Sequence, residues 1–206
     1  MFSGIIEEKA FILTTHEPSQ KSGTVVIEML RPKTFDDIKI GDSIAVNGVC
    51  LTVEVFNDEK MQFTLGPETL KITKWTAKNL LTQELNLERS MKLGDRIHGH
   101  IVSGHVDTLG QIEVAHMNGE AFDLVLSLEK SYRKYFPKKS SWTVAGVSLT
   151  VNEVEMKNER VWISSCLIPE TLKKTNLAQV KVGQGINIEI DFMIRALIHS
   201  YEERFL

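Results

Sequence analysis

Asn47-Gly48-Val49-Cys50-Leu51-Thr52-Val53 returns later in the chain as Ala145-Gly146-Val147-Ser148-Leu149-Thr150-Val151, displaced by 98 positions. Flanking phrases repeat with it. Pro67-Glu68-Thr69-Leu70-Lys71 returns as Pro169-Glu170-Thr171-Leu172-Lys173, and Leu85-Asn86-Leu87-Glu88 as Ile186-Asn187-Ile188-Glu189. Ser3-Gly4 returns as Ser103-Gly104. Matches in the same order at nearly constant spacing describe one unit written twice. That unit is far longer than a solenoid or propeller repeat, so it is a duplicated domain. The expected organisation is a first unit over 1–92, a second over 93–191, and an unduplicated tail over 192–206.

Strand signals dominate both units. Thr24–Met29, Ser43–Val46, Cys50–Phe56 and Met61–Leu65 are short, rich in β-branched and apolar residues, and separated by turn-forming stretches such as Asn57-Asp58-Glu59-Lys60. The second unit repeats the plan with Leu149–Met156 and Arg160–Ser165 around Lys157-Asn158-Glu159. Strands at this spacing predict a mainly β protein, a closed barrel or a sandwich in each unit. The Pro-Glu-Thr-Leu phrases predict one helical turn each, with Pro in the first turn. In the tail, Ile194, Ile198, Tyr201 and Phe205 fall on one helical face, and Leu197 widens it. A helix of about fifteen residues is marginal alone in water, so this stripe must pack on its own barrels or on other copies of the chain.

Bulk properties exclude several classes. A net charge of -3 calls for no nucleic acid. No apolar run approaches the ~20 residues of a membrane span. The opening residues lack a basic stretch and turn acidic at Glu7-Glu8, which argues against a secretory leader. Cys50 and Cys166 are the only cysteines, too few for a disulfide framework, and point to a reducing cytoplasm. Cys166, in an apolar stretch, is expected to be buried.

On the repeated strand, alternation places Val49, Leu51 and Val53 inward and Cys50 and Thr52 outward; Ser148 and Thr150 take the outward places in the second copy. The outward side is either a solvated β face or the lining of a cleft. The copies differ in what they carry. Ile5 follows the first Ser-Gly and His105 the second; Asn47 becomes Ala145; Cys50 becomes Ser148. Two related pockets with unlike titratable groups suit one small molecule held twice in unlike roles. His98 and His100, expected on one strand face, raise a metal site as a rival, but no acid follows at ligand spacing. His105 is the better candidate to move protons, since Gly104 lets a ligand approach the backbone. Glu68-Thr69 and Glu170-Thr171 either cap their helical turns or bind a polyhydroxy or heterocyclic ligand. Asp191 either supports the start of the tail helix or orients a reacting group.

Taken together these phrases resemble the riboflavin synthases of the duplicated-barrel type. Met1-Phe2-Ser3-Gly4-Ile5 is similar to the family's opening, Gly41–Val53 to its first-barrel signature, and Gly99–Asp107, Gly146–Val151, Ile168–Leu172 and Asn187–Asp191 to its later segments. The resemblance implies two tandem six-stranded Greek-key barrels and a C-terminal helix that assembles a homotrimer, with sites between barrels of neighbouring subunits. It implies dismutation of two 6,7-dimethyl-8-ribityllumazine molecules by four-carbon transfer, giving riboflavin and 5-amino-6-ribitylaminouracil without metal or cofactor. It leaves room for association with lumazine synthase. By similarity, Ser43, Cys50, Thr52, Glu68 and Thr69 line the first site, and Lys139, Ser148, Thr150, Ile168 and Thr171 the second. Ser3, Gly4, His100, Gly104 and His105 complete the substrate-facing set. His105 is the expected proton shuttle, with Cys50, Ser148 and Asp191 as helpers. The chain departs from the family at Ala145, where Asp is usual, at Ser140, where Gly is usual, and at His98-Gly99-His100, often Gly-Gly-His. The rival class is a lumazine-holding antenna protein that binds without turnover.

Overall fold

The computed structural model describes residues 1–18 and 23–205, with no side-chain description for Phe205. The first unit contributes β1 (Glu8–His16), β2 (Val25–Leu30), β3 (Ser43–Val46), β4 (Val49–Thr52), β5 (Val55–Phe56), β6 (Lys60–Leu65) and β7 (Glu84–Arg89). The second contributes β8 (Thr108–Asn118), β9 (Ala121–Glu129), β10 (Ser141–Val144), β11 (Val147–Thr150), β12 (Glu153–Lys157), β13 (Arg160–Leu167) and β14 (Gly185–Ile190). The sheet orders are β4-β3-β7-β1-β2-β6-β5 and β11-β10-β14-β8-β9-β13-β12, the same permutation in each. The duplication read from the sequence is therefore a duplication of topology.

Each sheet counts seven strands rather than the expected six. The extra one comes from a break in the expected Cys50–Phe56 strand. Val53 still bonds the β3 side, donating to Asp42 O and accepting from Gly41 N, while Glu54 N donates to Gln62 O on β6. One stretch of chain thus supplies both ends of the sheet order and closes the sheet on itself. Closure removes the free edges that an open sheet would expose. Val151 and Asn152 make the same change of partner in the second unit.

The repeated phrase opens each closing stretch. β3 and β4 are joined by Asn47-Gly48, and β10 and β11 by Ala145-Gly146. Both residues of each pair have positive φ: 44° and 81° in the first, 48° and 82° in the second. That is the two-residue hairpin loop whose twist matches the strands it joins. Asn-Gly suits it. Ala145 adopts the left-handed region at a cost of roughly 1 kcal/mol. The two loops meet back to back. A Cβ on Gly48 would lie 2.8 Å from Gly146 N, and one on Gly146 would lie 2.7 Å from Gly48 N.

Inward alternation fills two cores. Val49, Leu51 and Val53 enter the first with Phe35, Phe63 and Met29; Val147, Leu149 and Val151 enter the second with Phe136 and Trp142. Each such side chain contributes about 1.5–3 kcal/mol on full burial. Trp142 meets Phe136 edge-on at 5.5 Å and donates from Nε1 to Ser165 Oγ at 2.9 Å, so its one polar atom is satisfied. Two residues pack into the core of the other unit. Ile6, from the start of the chain, joins the second core, and Val106 packs against the first.

Helices are short. α1 (Pro67–Thr73) and α3 (Pro169–Lys174) carry the Pro-Glu-Thr-Leu phrases, and α2 is Ala77–Leu80. The tail forms α4 (Phe192–Phe205); Leu206 lies outside the described residues. It docks on its own second barrel. Arg195 pairs with Asp107 and Lys134 with Glu202, and Ile194 and Ile198 are half-buried. This docking divides the expected stripe: Tyr201 and Leu197 are exposed, together with Met193.

Two further expectations are corrected. Cys166 is exposed, because alternation along β13 buries Ser165 and Leu167 and turns Cys166 outward. His98 and His100 do not share a strand face; they lie in the irregular segment before β8, His98 exposed and His100 half-buried. No group of three metal-ligating side chains comes together among the described residues. No described helix is long and apolar enough to cross a membrane.

Candidate active site

The residues singled out from the repeat converge where the two barrels exchange arms. The arm at 2–6 precedes β1, and the arm at 102–106 precedes β8. They pair with each other: Phe2 N donates to Val102 O at 2.8 Å and Val102 N to Phe2 O at 2.9 Å. Each arm then lies across the opposite barrel's repeated strand. Ser148 N donates to Gly4 O, and Cys50 N to Gly104 O, both at 2.8 Å. Glycine is required at both crossings. A Cβ on Gly4 (φ 74°) would lie 2.7 Å from Ser148 Cβ, and one on Gly104 (φ 81°) 2.6 Å from Cys50 Cβ.

Each arm is held from below by a carboxylate of its own barrel. Glu88 Oε1 accepts from Ser3 N and Ser3 Oγ, and Oε2 from Gly4 N, at 2.7, 2.8 and 3.0 Å. Glu189 does the same for Ser103 and Gly104 at 2.7, 2.7 and 3.0 Å. Burial pushes both carboxyls above the ordinary carboxylate range; the bonds from Ser3-Gly4 and Ser103-Gly104 pull the other way.

At the Gly4 crossing the second barrel presents a dyad. His100 Nδ1 is 2.7 Å from Ser148 Oγ, and Nε2 is 3.2 Å from Thr143 Oγ1. Thr143 on β10 is the cross-strand partner of Ser148 on β11, so the sheet itself sets the spacing of the two hydroxyls. Burial pushes the imidazole below its ordinary value, partly opposed by the charge of Asp191. A neutral imidazole at neutral pH has one donor and one acceptor nitrogen. With its hydrogen on Nε2 it donates to Thr143 and accepts the Ser148 hydroxyl hydrogen. It can then take a proton through Ser148 or return one.

A different pair meets at the Gly104 crossing, Cys50 from the first barrel and His105 from the arm that lies across it. Cys50, half-buried, packs with Phe2, Ala45 and Val102. His105 follows Gly104, is exposed, and donates from its backbone N to Ser103 Oγ at 3.2 Å. Among the described residues, no histidine is hydrogen-bonded to Cys50 as His100 is to Ser148. Each crossing carries one histidine, supplied by a different position.

The other expected residues lie further along the same strands and turns. Ser43 pairs with Thr52 across β3 and β4, and with Ser3 it borders a cleft of about 1040 Å³ that also meets Arg89 and His98. Thr52 and Thr150 are exposed, and Thr150 O accepts from Ser165 Oγ. Neither Glu68 nor Glu170 caps its helix; both are exposed in the first turn, and Glu170 pairs with Lys174 at 3.2 Å. Thr69 and Thr171 accept at their carbonyls from Thr73 and Thr175. Lys139 is exposed at φ 71°, its N bonded to Val151 O, and Ile168 is the exposed cap of α3. Among the described residues no hydrogen bond joins Lys139, Ile168 or Thr171 to Ser148. Asp191 Oδ1 accepts from Met193 N at 2.9 Å and so caps the tail helix, while its charge still reaches His100.

Reasoning from the repeat missed Thr143, Glu88 and Glu189. The last two stand in the repeated Leu-Asn-Leu-Glu and Ile-Asn-Ile-Glu phrases. An acid kept at the same place after a buried Leu or Ile in both copies was the available signal. Asn86 and Asn187 in those phrases have a different task. Asn86 Nδ2 donates to Ala145 O and Asn187 Nδ2 to Asn47 O, which stitches the back-to-back loops together. Ala145 thus belongs to the seam between the barrels.

Comparison with known proteins agrees with this architecture. A family model described as the lumazine binding domain matches residues 3–90 and again 103–191. The chain is a tandem lumazine-binding-domain protein. Riboflavin synthases are similar to it along its whole length: that of Bacillus subtilis (strain 168) is 38% identical, over 100% of this chain and 90% of the relative. That of Actinobacillus pleuropneumoniae is 37% identical over the same shares, and that of Mycobacterium tuberculosis (strain ATCC 25618 / H37Rv) 37% over 100% and 98%. The chain belongs to the riboflavin synthase family and is an enzyme of that family. Among solved structures, LumP complexed with riboflavin superposes with a TM-score of 0.77 at 19% identity, over 92% of this chain and 99% of that one. LumP complexed with 6,7-dimethyl-8-(1'-D-ribityl) lumazine gives 0.76 at 18%, over 92% and 98%. At that identity the likeness is one of fold.

Proposed function

We propose that the protein converts two molecules of 6,7-dimethyl-8-ribityllumazine into riboflavin and 5-amino-6-ribitylaminouracil by transfer of a four-carbon unit. The products together hold every atom of the two substrates, so the reaction needs no oxidant, reductant or net water. The observation that carries this reading is the unlike equipment of two like crossings: His100 with Ser148 and Thr143 at one, Cys50 with His105 on the next arm at the other.

The chemistry asks little else of the chain. The C7 methyl of the substrate is acidified by its own conjugated ring. Holding two rings face to face can replace roughly 7–11 kcal/mol of entropic barrier at best. What remains is proton movement and support for developing charge. The His100–Ser148 pair is suited to proton movement because burial keeps the imidazole neutral. His105 is the corresponding shuttle at the first barrel. Ser43, Cys50, Thr52, Glu68 and Thr69 form the wall of one ring site, and Lys139, Ser148, Thr150, Ile168 and Thr171 that of the other. Asp191 acts on His100 through its charge.

The exposed residues Met193, Leu197 and Tyr201 step by four along α4 and support assembly through the tail, as a homotrimer. We place the enzyme in the cytoplasm, in keeping with two cysteines that form no disulfide with each other. The binding-only alternative is served less well: the sequence likeness to LumP is half that to the synthases. Incubation of the purified protein with 6,7-dimethyl-8-ribityllumazine and a chelator decides between them. Riboflavin formation supports the enzyme; tight binding of unchanged substrate favours the antenna role.

A further inference from the structure

We infer that Glu88 and Glu189 are positioning residues that act across the seam between the barrels: Glu88 of the first barrel sets the His100–Ser148 pair of the second, and Glu189 of the second sets Cys50 of the first together with the His105 arm that crosses it. The kinetic part of this inference rests on the proposed dismutation; the structural part does not.

The path is short in each direction. Glu88 fixes the backbone of Ser3 and Gly4 with three bonds. Ser3 O then accepts from His100 N at 3.2 Å, and Gly4 O from Ser148 N at 2.8 Å. No slack is left between them. A Cβ on Gly99 would lie 2.8 Å from Ser148 Cβ and 2.9 Å from its Oγ, besides pressing on Ser3 O. A shift of the first arm therefore shifts both members of the dyad. Glu189 fixes Ser103 and Gly104 in the same way. Gly104 O accepts from Cys50 N at 2.8 Å, and Ser103 Oγ from His105 N at 3.2 Å.

Both carboxylates are buried, and burial of an acid is costly unless its oxygens are filled. An ordinary fold tie needs no acid. Three donors converging on two oxygens do, because an amide offers only one acceptor oxygen. Two such sites, each in one barrel and each aimed at the other barrel's reacting side chain, make the two crossings interdependent.

The test uses the full chain with ¹⁵N-histidine labelling at one fixed neutral pH, the ring signals assigned with His100→Gln and His105→Gln. Glu88→Gln is expected to move the His100 signals and leave those of His105 in place; Glu189→Gln is expected to do the reverse. In turnover, Glu88→Gln should lower kcat by about tenfold to a hundredfold, the cost of misplacing a reacting group by an ångström or less. That loss should vanish in a Ser148→Ala background and persist in a Cys50→Ala background. Ser3→Ala and Ser103→Ala, which each remove one donor, should give the same crossed pattern more weakly, and they serve if a glutamine variant does not fold. Both histidines moving together in either variant, or neither moving, would overturn the inference. Crossed shifts in a protein that makes no riboflavin would keep the positioning roles and reject the proposed reaction.

Discussion

The imidazole of His100 and the hydroxyl of Ser148 lie 2.7 Å apart, although one stands in an irregular segment and the other on β11. The first arm of the chain holds both, through Ser3 O and Gly4 O. This pair joins the fold to the chemistry, and most expectations for the enzyme follow from it.

Replacing either member should slow turnover more than it weakens binding. For Ser148→Ala and His100→Gln we expect kcat to fall by about 10²-fold or more, within the range of general acid–base contributions. Riboflavin affinity, read by fluorescence titration, should change by less than about tenfold. His105→Ala should behave similarly if it serves the other crossing. A variant at the unaltered rate would remove its residue from the mechanism.

The acid side of the pH profile should report His100. Burial pushes its imidazole below the ordinary value, so the base form is lost only as pH falls through that depressed value. The acid limb of kcat/KM should therefore have its midpoint below that of a free imidazole, and His100→Gln should abolish it. Stability follows the same sign. The folded state binds fewer protons than the unfolded one between the depressed and ordinary values, so stability rises with pH across that window. Glu88 and Glu189 act oppositely. Their raised carboxyls favour the fold at acid pH, and that contribution is lost as pH rises through the raised values. A pH titration of urea midpoints in His100→Gln should lack the imidazole slope and keep the carboxyl one.

Gly146→Ala should destabilise the whole chain rather than one hairpin. The new Cβ would meet Gly48 N at 2.7 Å from a backbone at φ 82°. Strain and overpacking together are expected to cost about 2–4 kcal/mol, read as a lower urea midpoint. Gly48→Ala should match it. An unchanged midpoint in both would mean that the back-to-back loops are not in contact.

Leu197→Asp should dissociate the proposed trimer and leave the barrels folded. Leu197 is 69% exposed on the face of α4 that turns away from its own barrel. Sedimentation velocity should show a monomer with an unaltered β-type circular dichroism spectrum. An unaltered mass would place the assembly surface elsewhere. Arg195→Ala, which cuts the tie to Asp107, should instead loosen the helix from its own barrel.

Much of the fold is legible in the residues themselves. The repeated Gly-Val-Cys-Leu-Thr-Val and Gly-Val-Ser-Leu-Thr-Val strands bury and expose their residues as alternation requires, because strand period is local information. Strands β1 and β8 are harder to read. Each carries a register shift, at Ile12/Thr14 and at Ile112/Val114, that interrupts the alternation. Cys166 defies its apolar surroundings because composition around a residue says nothing about which face it takes. The split of the tail stripe depends on the ion pair between Arg195 and Asp107, which are far apart in sequence. The exchange of arms is hidden for the same reason. Glu88 meets Ser3 across 85 positions, and no local pattern reveals a partner at that distance. The repeat does hold a hint, in a buried acid kept twice at the same place in the Leu-Asn-Leu-Glu and Ile-Asn-Ile-Glu phrases.

The proposed dismutation requires that two like sites hold two copies of one substrate and pass carbon between them. Substrate labelled with ¹³C in both ring methyl groups, mixed with an equal amount of unlabelled substrate, tests this through the mass of the riboflavin formed. We predict riboflavin labelled from both parents, from one and from neither in binomial proportion, with an equal yield of unlabelled 5-amino-6-ribitylaminouracil. Riboflavin that never carries four labels, or none formed at all, would contradict it.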